Sequence, residues 1–146
     1  APMLLAGKGS LADSVKQELT RLNPSRVVIL GGTGVVASSI ELEIGQAVPG
    51  VMVTRLAGKN RFETSAAIAD AGWRQADVGF FAAGTDFPDA LAGVPAAALQ
   101  GAPLFLTKPD CMPRPIARVA NDLALDERVL LGGSAVLQDS ASTTRC

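Results

Sequence analysis

The chain has 146 residues, 48% of them hydrophobic, with a formal net charge of −1 and neither His nor Tyr. Such a composition describes one folded domain or two small ones, with no overall basic field and no aromatic platform for nucleic acid. It also removes the commonest general base, and no run of eighteen apolar residues is present to span a membrane.

The first apolar run, Pro2 to Ala6, reads as a strand, and Gly7-Lys8-Gly9 as a turn. Ser10 with Asp13 forms an acidic helix start, Leu11, Val15, Leu19 and Leu22 give an apolar stripe, and Asn23-Pro24 stops the helix. Arg26 to Leu30 is a continuous apolar run of the buried parallel kind, followed by the glycine turn Gly31-Gly32-Thr33-Gly34. Ser38 or Ser39 opens a helix carrying Ile40, Ile44 and Val48, which Pro49-Gly50 ends.

Val51 to Val53 is the third strand, and it leads into T-R-L-A-G-K-N-R-F-E-T at 54–64. This stretch carries Arg55, Lys59 and Arg61, a turn glycine at Gly58, and Asn60 three residues before Glu63. That is capping-box spacing, with the Asn60 side chain accepting from the Glu63 N–H and Glu63 reaching back to the Asn60 N–H. The cations therefore fall between the carboxyl end of a strand and the amino end of a helix, where open α/β sheets bind anions. The helix runs from about Arg61 to Gly72.

Val78 to Ala82 is a fourth strand. Asp86 or Phe87 starts the next helix, with Pro88 tolerated in its first turn. This helix is Ala- and Leu-rich on all sides, which predicts burial, and Pro95 inside it predicts a kink or an end. Pro103 to Leu106 is a fifth strand. A stripe of Ile116, Val119 and Leu123 follows, and Arg128 to Leu131 is the sixth strand, closed by Gly132-Gly133. Strands recurring about every 25 residues with a helix in each interval predict six βα units. The expected product is a mostly parallel α/β sheet with helices on both faces, Rossmann- or flavodoxin-like. An antiparallel α+β fold is the alternative, disfavoured because the strand runs do not alternate.

Cys111 and Cys146 read as a disulfide, because a chain end gains from tethering; the bridge would close a loop of about 36 residues, worth roughly 3–4 kcal/mol, and would place the protein outside the cytoplasm. There is no signal-peptide layout. A sequence that opens inside a strand-like run and ends on cysteine reads as part of a longer chain.

The two ends of the sequence match each other. A-P-M-L-L at 1–5 pairs with A-P-L-F-L at 102–106, and V-I-L-G-G at 28–32 with V-L-L-G-G at 129–133, at a constant offset (102 − 1 = 101; 129 − 28 = 101). A gapless offset points to duplication. Residues 1–50 then form the second half of one module and 51–146 a complete one, packed together as a single α/β unit.

R-L-A-G-K-N-R-F-E-T (55–64), F-P-D-A-L-A (87–92), G-A-P-L-F-L-T (101–107) and V-L-L-G-G-S-A-V (129–136), in that order, resemble the cell-wall-binding type 2 repeat. The resemblance covers the whole chain once 1–50 is taken as a partial module. It implies a secreted, non-catalytic module of Gram-positive bacteria that works in tandem with sibling modules or as a homo-oligomer. The module would hold a surface protein on an anionic wall polymer, teichoic-acid-like or a secondary polysaccharide, with no cofactor or metal. By position, the implied motif residues are Arg55, Gly58, Arg61, Glu63 and Thr64, then Phe87, Pro88, Asp89 and Ala90. The implied polymer-contacting element is Pro103, Leu104, Phe105 and Leu106, with Pro2, Met3, Leu4 and Leu5 in the partial module. Phe105 and Asn60 depart from the usual aliphatic residue and Asp.

An anionic polymer is gripped by many weak contacts, and Arg55 and Arg61 suit this through their planar forks. Lys8, Lys59 and Lys108 also follow strand ends and could line the same edge. The competing reading has Arg55 and Arg61 paired internally with Asp89, Glu63 or Asp86, only holding loops. Asp86 and Asp89 could serve a small α/β enzyme or nucleotide-binding protein, but they read better as helix-capping groups. The 31–34 turn fails G-x-G-x-x-G spacing because no glycine stands at 37, and Gly7-Lys8 lacks the phosphate-loop pattern. A third function is purely structural, an oligomerisation module.

Overall fold

The computed structural model describes residues 2–146, so the first residue of the repeat, Ala1, lies outside the described residues. The chain divides into two compact units, one ending at Ala57 and the other comprising Gly58–Cys146.

In the first unit, α1 (Asp13–Leu22) leads through a left-handed Asn23 to β1 (Arg26–Leu30), and α2 (Ser39–Ala47) carries the chain over to β2 (Met52–Leu56). The two strands are parallel, in a register that pairs Arg26 with Met52 and Leu30 with Leu56. Leu11, Leu19, Ile29, Ile40, Ile44 and Val48 form the core. These come from the stripes of both helices, from residues just outside their ends (Leu11 and Val48) and from one face of β1.

The sequence expectations need three corrections here. Helix α1 starts after Ala12 with no side-chain cap, so Ser10 is not its first residue. Strand β1 is buried on one face only: Ile29 points inward, while Val28 and Leu30 are exposed. Residues 2–6 form no strand, so five βα strands are present among the described residues and not six. The repeat supplies the physical reason. In the second unit, the counterparts of residues 2–6 hydrogen-bond to a central strand, and the counterparts of Val28 and Leu30 are covered by a helix. Among the described residues the first unit has neither a strand beside residues 2–6 nor a helix over Val28 and Leu30.

The second unit is built around β3 (Val78–Ala83), reached through α3 (Arg61–Gly72). The chain continues through α4 (Pro88–Leu99), β4 (Leu104–Thr107), α5 (Arg114–Asp122), β5 (Glu127–Leu131) and a 3-10 turn at Asp139–Ser142. Strands β4 and β5 flank β3 in parallel, in the order β4-β3-β5. The expected single sheet is therefore two parallel sheets, of two and three strands.

Alternation along the strands sorts side chains between two layers. Phe81 and Phe105, their rings stacked at 5.1 Å, face α3 and α5 with Ala66, Ala69, Ile116 and Val119. Phe80, Leu104, Val129 and Leu131 face the other way, towards Ala97 of α4. Helix α4 is not buried on all sides as expected. Gly93 and Ala97 are buried, whereas Leu91, Val94 and Leu99 are exposed, because the helix lies outside a three-stranded sheet with nothing over its far side among the described residues. Pro95 does not end it. The carbonyl left unpaired by proline is that of Leu91, which is exposed and open to water.

Cys111 and Cys146 are bridged, with Cα atoms 5.5 Å apart. Backbone bonds reinforce the tether: Cys146 N–H donates to Met112 O at 2.9 Å, and Met112 N–H to Thr144 O at 2.7 Å. Thr107, fully buried, places its hydroxyl 2.9 Å from Cys111 O and 3.0 Å from Ala141 O.

Two measurements check this account. Replacing both cysteines by serine should lower unfolding free energy by roughly 3–4 kcal/mol in urea titrations of the oxidised chain against the variant. In the first unit, Lys16 Nζ lies 2.9 Å from Glu43 Oε2, which also accepts from Leu11 N–H at 3.2 Å. These bonds, Lys16 first, hold the Glu43 carboxyl below its ordinary value of 4.5, and the same pairing raises Lys16 above 10.5. A carboxyl depressed by folding stabilises above its unfolded value and loses that contribution as pH falls through the folded one. The Tm deficit of Glu43→Gln should therefore be present at neutral pH and close in acid. On the alkaline side, the Lys16 contribution should hold below its ordinary value and fade as pH rises through the raised one.

Candidate functional site

The residues of the 55–64 stretch part company in the folded chain. Arg55 lies on β2 with its side chain 16% exposed. Its Nε donates to Glu41 Oε1 at 2.9 Å, and its Nη1 to Gly31 O at 2.7 Å and Val36 O at 2.8 Å. Nη2 stands 2.7 Å from the same Glu41 oxygen, outside hydrogen-bonding geometry, so that contact is ionic only. Arg55 is thus a clasp across the β1–α2 loop and not an open grip for a polymer. Its acidic partner is Glu41, in the first turn of α2, and none of the three acids expected from sequence. The signal that could have found Glu41 is its place one turn into the helix after Gly31-Gly32, on the element that crosses over to β2.

The rest of the stretch locks the entry to α3. Asn60 Oδ1 accepts from Glu63 N–H at 3.0 Å, as the capping box requires. The return bond differs from expectation: Glu63 Oε2 accepts from the Lys59 N–H at 2.9 Å, and Glu63 Oε1 lies 3.4 Å from the Asn60 side-chain amide. Thr64 Oγ1 accepts from Gly58 N–H at 3.0 Å. Gly58 must be glycine because a Cβ there would lie 2.1 Å from the Glu63 Cβ. Gly58, Glu63 and Thr64 therefore build a turn.

What remains exposed is Lys59, Arg61 and Lys108. Arg61 gives one guanidinium arm to Gly84 O at 2.6 Å, just past the end of β3. Gly84 N–H in turn donates to Thr107 O at 2.7 Å, at the end of β4, and Lys108 follows. These bonds gather the amino end of α3 and the carboxyl ends of β3 and β4, with Arg61 at the helix start and Lys59 and Lys108 in the adjoining loops. Lys8 is exposed on the first unit, where its carbonyl accepts from Ala37 N–H at 2.8 Å.

The element expected to contact a polymer directly, β4, is an edge strand whose side chains are largely buried. Phe105 is fully buried, Pro103 nearly so, and Leu104 and Leu106 are half-buried. A parallel strand between two helical layers offers its side chains to those layers, so Pro103, Leu104, Phe105 and Leu106 serve packing. Pro2, Met3 and Leu5 in the first unit are exposed.

Of the two aspartates, Asp86 Oδ1 accepts from Phe87 N–H at 2.8 Å, just ahead of Pro88 and α4. Asp89 lies against Gly132, where a Cβ would stand 2.6 Å from its Oδ2. Gly31 and Gly132 adopt φ of 117° and 118°. Their loops repeat bond for bond: Val36 N–H to Gly32 O and Leu137 N–H to Gly133 O, both 3.0 Å, then Ala37 N–H to Lys8 O and Gln138 N–H to Pro109 O, both 2.8 Å. Sequence reasoning missed Arg128, which donates to the Ser142 carbonyl and steadies the 3-10 turn.

The clasp can be tested by stability. Arg55→Lys keeps the charge but cannot span the carboxylate and two carbonyls together. It should cost about 2–3 kcal/mol by urea denaturation. A loss within a few tenths of a kcal/mol would contradict an internal role.

The family model for cell wall binding domain 2 matches residues 55–142. The chain is 28% identical to N-acetylmuramoyl-L-alanine amidase LytC of Bacillus subtilis, over 96% of this chain and 28% of that protein. It is 30% identical to the amidase enhancer of the same organism, over 92% of this chain and 17% of that one. Among solved structures it resembles Cwp6 of Clostridium difficile, at TM-score 0.88 and 34% identity over 96% of this chain and 22% of that chain. Cwp8 of the same species matches at TM-score 0.82 and 26% identity, over 97% and 24%. The chain spans less than a third of each of these relatives. The matched block holds the capped turn, the exposed cations and the whole of the three-stranded sheet, and on that evidence the chain belongs to the cell wall binding domain 2 family.

Proposed function

We propose that this cell-wall-binding module is a non-catalytic attachment device for an anionic polymer of the wall, teichoic-acid-like or a secondary polysaccharide. The observation that carries the reading is the trio Lys59, Arg61 and Lys108, exposed around the amino end of α3 and the carboxyl ends of β3 and β4. No acidic side chain takes the free arm of Arg61 among the described residues, and the nearby helix terminus adds its own positive end. Asp86 and Asp89 are occupied as a backbone acceptor and as a packing partner of Gly132, which favours attachment over an enzyme built on them.

One such rim holds a phosphate or carboxylate weakly, so retention depends on several modules engaging one polymer. The parent would be a secreted protein on a Gram-positive surface, with residues 1–50 and 51–146 as a partial and a complete module among siblings. The three-stranded order with helices on both faces is flavodoxin-like in plan, and its ligand edge would be the carboxyl end of the strands.

Sedimentation with purified walls tests this. Hydrofluoric acid extraction of phosphodiester-linked polymer should abolish retention, and the triple change Lys59→Ala, Arg61→Ala, Lys108→Ala should reduce it about tenfold or more with little loss of stability. Rising salt should mimic the variant. Equal retention on extracted and intact walls would remove such a polymer as the ligand. Full retention by the triple variant would move the site elsewhere.

A further inference from the structure

Aromatic side chains are scarce in this chain, five Phe and one Trp with no Tyr. Phe80, Phe81 and Phe105 are buried, and Phe62 and Trp73 pack half-buried against the core around Phe81 and Phe105. Among the described residues only Phe87 leaves its ring in water, at 69% exposure. Single apolar side chains on a surface are ordinary, but Phe87 does not stand alone. Leu91, one helical turn on, is 63% exposed, and Pro88 is exposed too, so the start of α4 carries an apolar ledge.

The backbone under the ring is fixed. Phe87 N–H donates to Asp86 Oδ1 at 2.8 Å, Phe87 O accepts from Leu91 N–H at 3.0 Å, and Pro88 opens α4 directly after it. Only the side-chain torsions of Phe87 stay free, so holding its ring against a ligand costs little entropy. The ledge adjoins the cations. Arg61 donates to Gly84 O at 2.6 Å, and Phe62 packs onto Gly84 so closely that a Cβ there would lie 2.4 Å from its ring. The short chain from Gly84 to Phe87 keeps their Cα atoms within about 11 Å. Guanidinium and exposed ring therefore share the carboxyl end of β3.

We propose that Phe87 is the sugar-reading residue of this rim, and that the polymer it selects is an anionic glycan of pyranose rings in preference to a ringless alditol phosphate. The inference rests on the attachment reading above and narrows its ligand. A pyranose ring has apolar faces of C–H groups and an edge of hydroxyls. Those C–H groups carry slight positive charge and lie well on the electron-rich face of an aromatic ring. Stacking such a face on Phe87, beside Leu91, removes apolar area of both partners from water. The phosphate or carboxylate of the same glycan then meets Arg61 and the neighbouring lysines. Poly(glycerol phosphate) brings the charge and lacks the face, so it engages the cations alone.

A ringed and a ringless polyanion separate the two contributions. The probes are polygalacturonate, with a carboxylate on every pyranose ring, and poly(glycerol phosphate) free of sugar substituents, each titrated calorimetrically into the full chain at low salt. The wild type should bind polygalacturonate about fivefold more tightly per charge, or better. Phe87→Ala should erase that preference and bind poly(glycerol phosphate) as before. Phe87→Trp should keep it, and its added emission should shift to the blue with polygalacturonate but not with poly(glycerol phosphate). Thermal melts of both variants should match the wild type, because the ring is exposed. An equal or reversed preference in the wild type would overturn the assignment, as would a preference that survives Phe87→Ala. So would an equal loss on both polymers in Phe87→Ala, since the residue would then shape the rim without reading a sugar. The attachment reading fails separately: it falls if the triple variant at Lys59, Arg61 and Lys108 binds both polymers as the wild type does. Absence of binding to either polymer would overturn both.

Discussion

Backbone pairing along parallel edges is the constraint on which the rest of the structure depends. A parallel strand cannot turn back on its partner, so each pairing must wait for a helix to carry the chain across. Every helix that stands between two paired strands here meets that need: α2 between β1 and β2, and α4 between β3 and β4. The apolar stripes of those helices then have only one place to go, onto the sheet they have just crossed. Both hydrophobic layers of the second unit follow from β3 being central, since Phe80 and Phe81 point to opposite faces and each needs its own cover.

The same constraint explains the first unit. With only β1 and β2 paired, helices α1 and α2 cover one face, and Val28, Leu30 and Met52 stay exposed on or near the other. Residues 2–6 have the composition of a strand, and among the described residues no strand pairs with them. Arg55 compensates at the open end. Its three bonds tie the end of β2 to the loop after β1 and to the first turn of α2, so that one side chain fixes three segments.

The proposed attachment site is what the turn chemistry leaves unused. The motif between Gly58 and Thr64 spends its polar side chains on its own backbone: Asn60, Glu63 and Thr64 all satisfy N–H groups at the start of α3. Lys59 and Arg61 stay exposed on that rigid frame. A short, over-determined loop that presents cations at the end of a sheet is suited to a flexible, charged chain, because little ordering is demanded of the protein on contact.

The amino-acid sequence alone determined the order of helices and strands from residue 13 onward, the parallel class, the disulfide, the repeat and the family. All of these are local or periodic signals: apolar runs, cap spacing, glycine turns and matched blocks. What only tertiary structure decided was the fate of individual side chains. Arg55 and Arg61 look alike in sequence, six residues apart. One is enclosed by Glu41 and two carbonyls, and the other is largely open, because their strand and helix have different neighbours. Likewise, 2–6 and 104–107 share a composition, yet only the second lies beside β3. Pairing and burial belong to the partner as much as to the segment, and a linear chain does not say which partner is present.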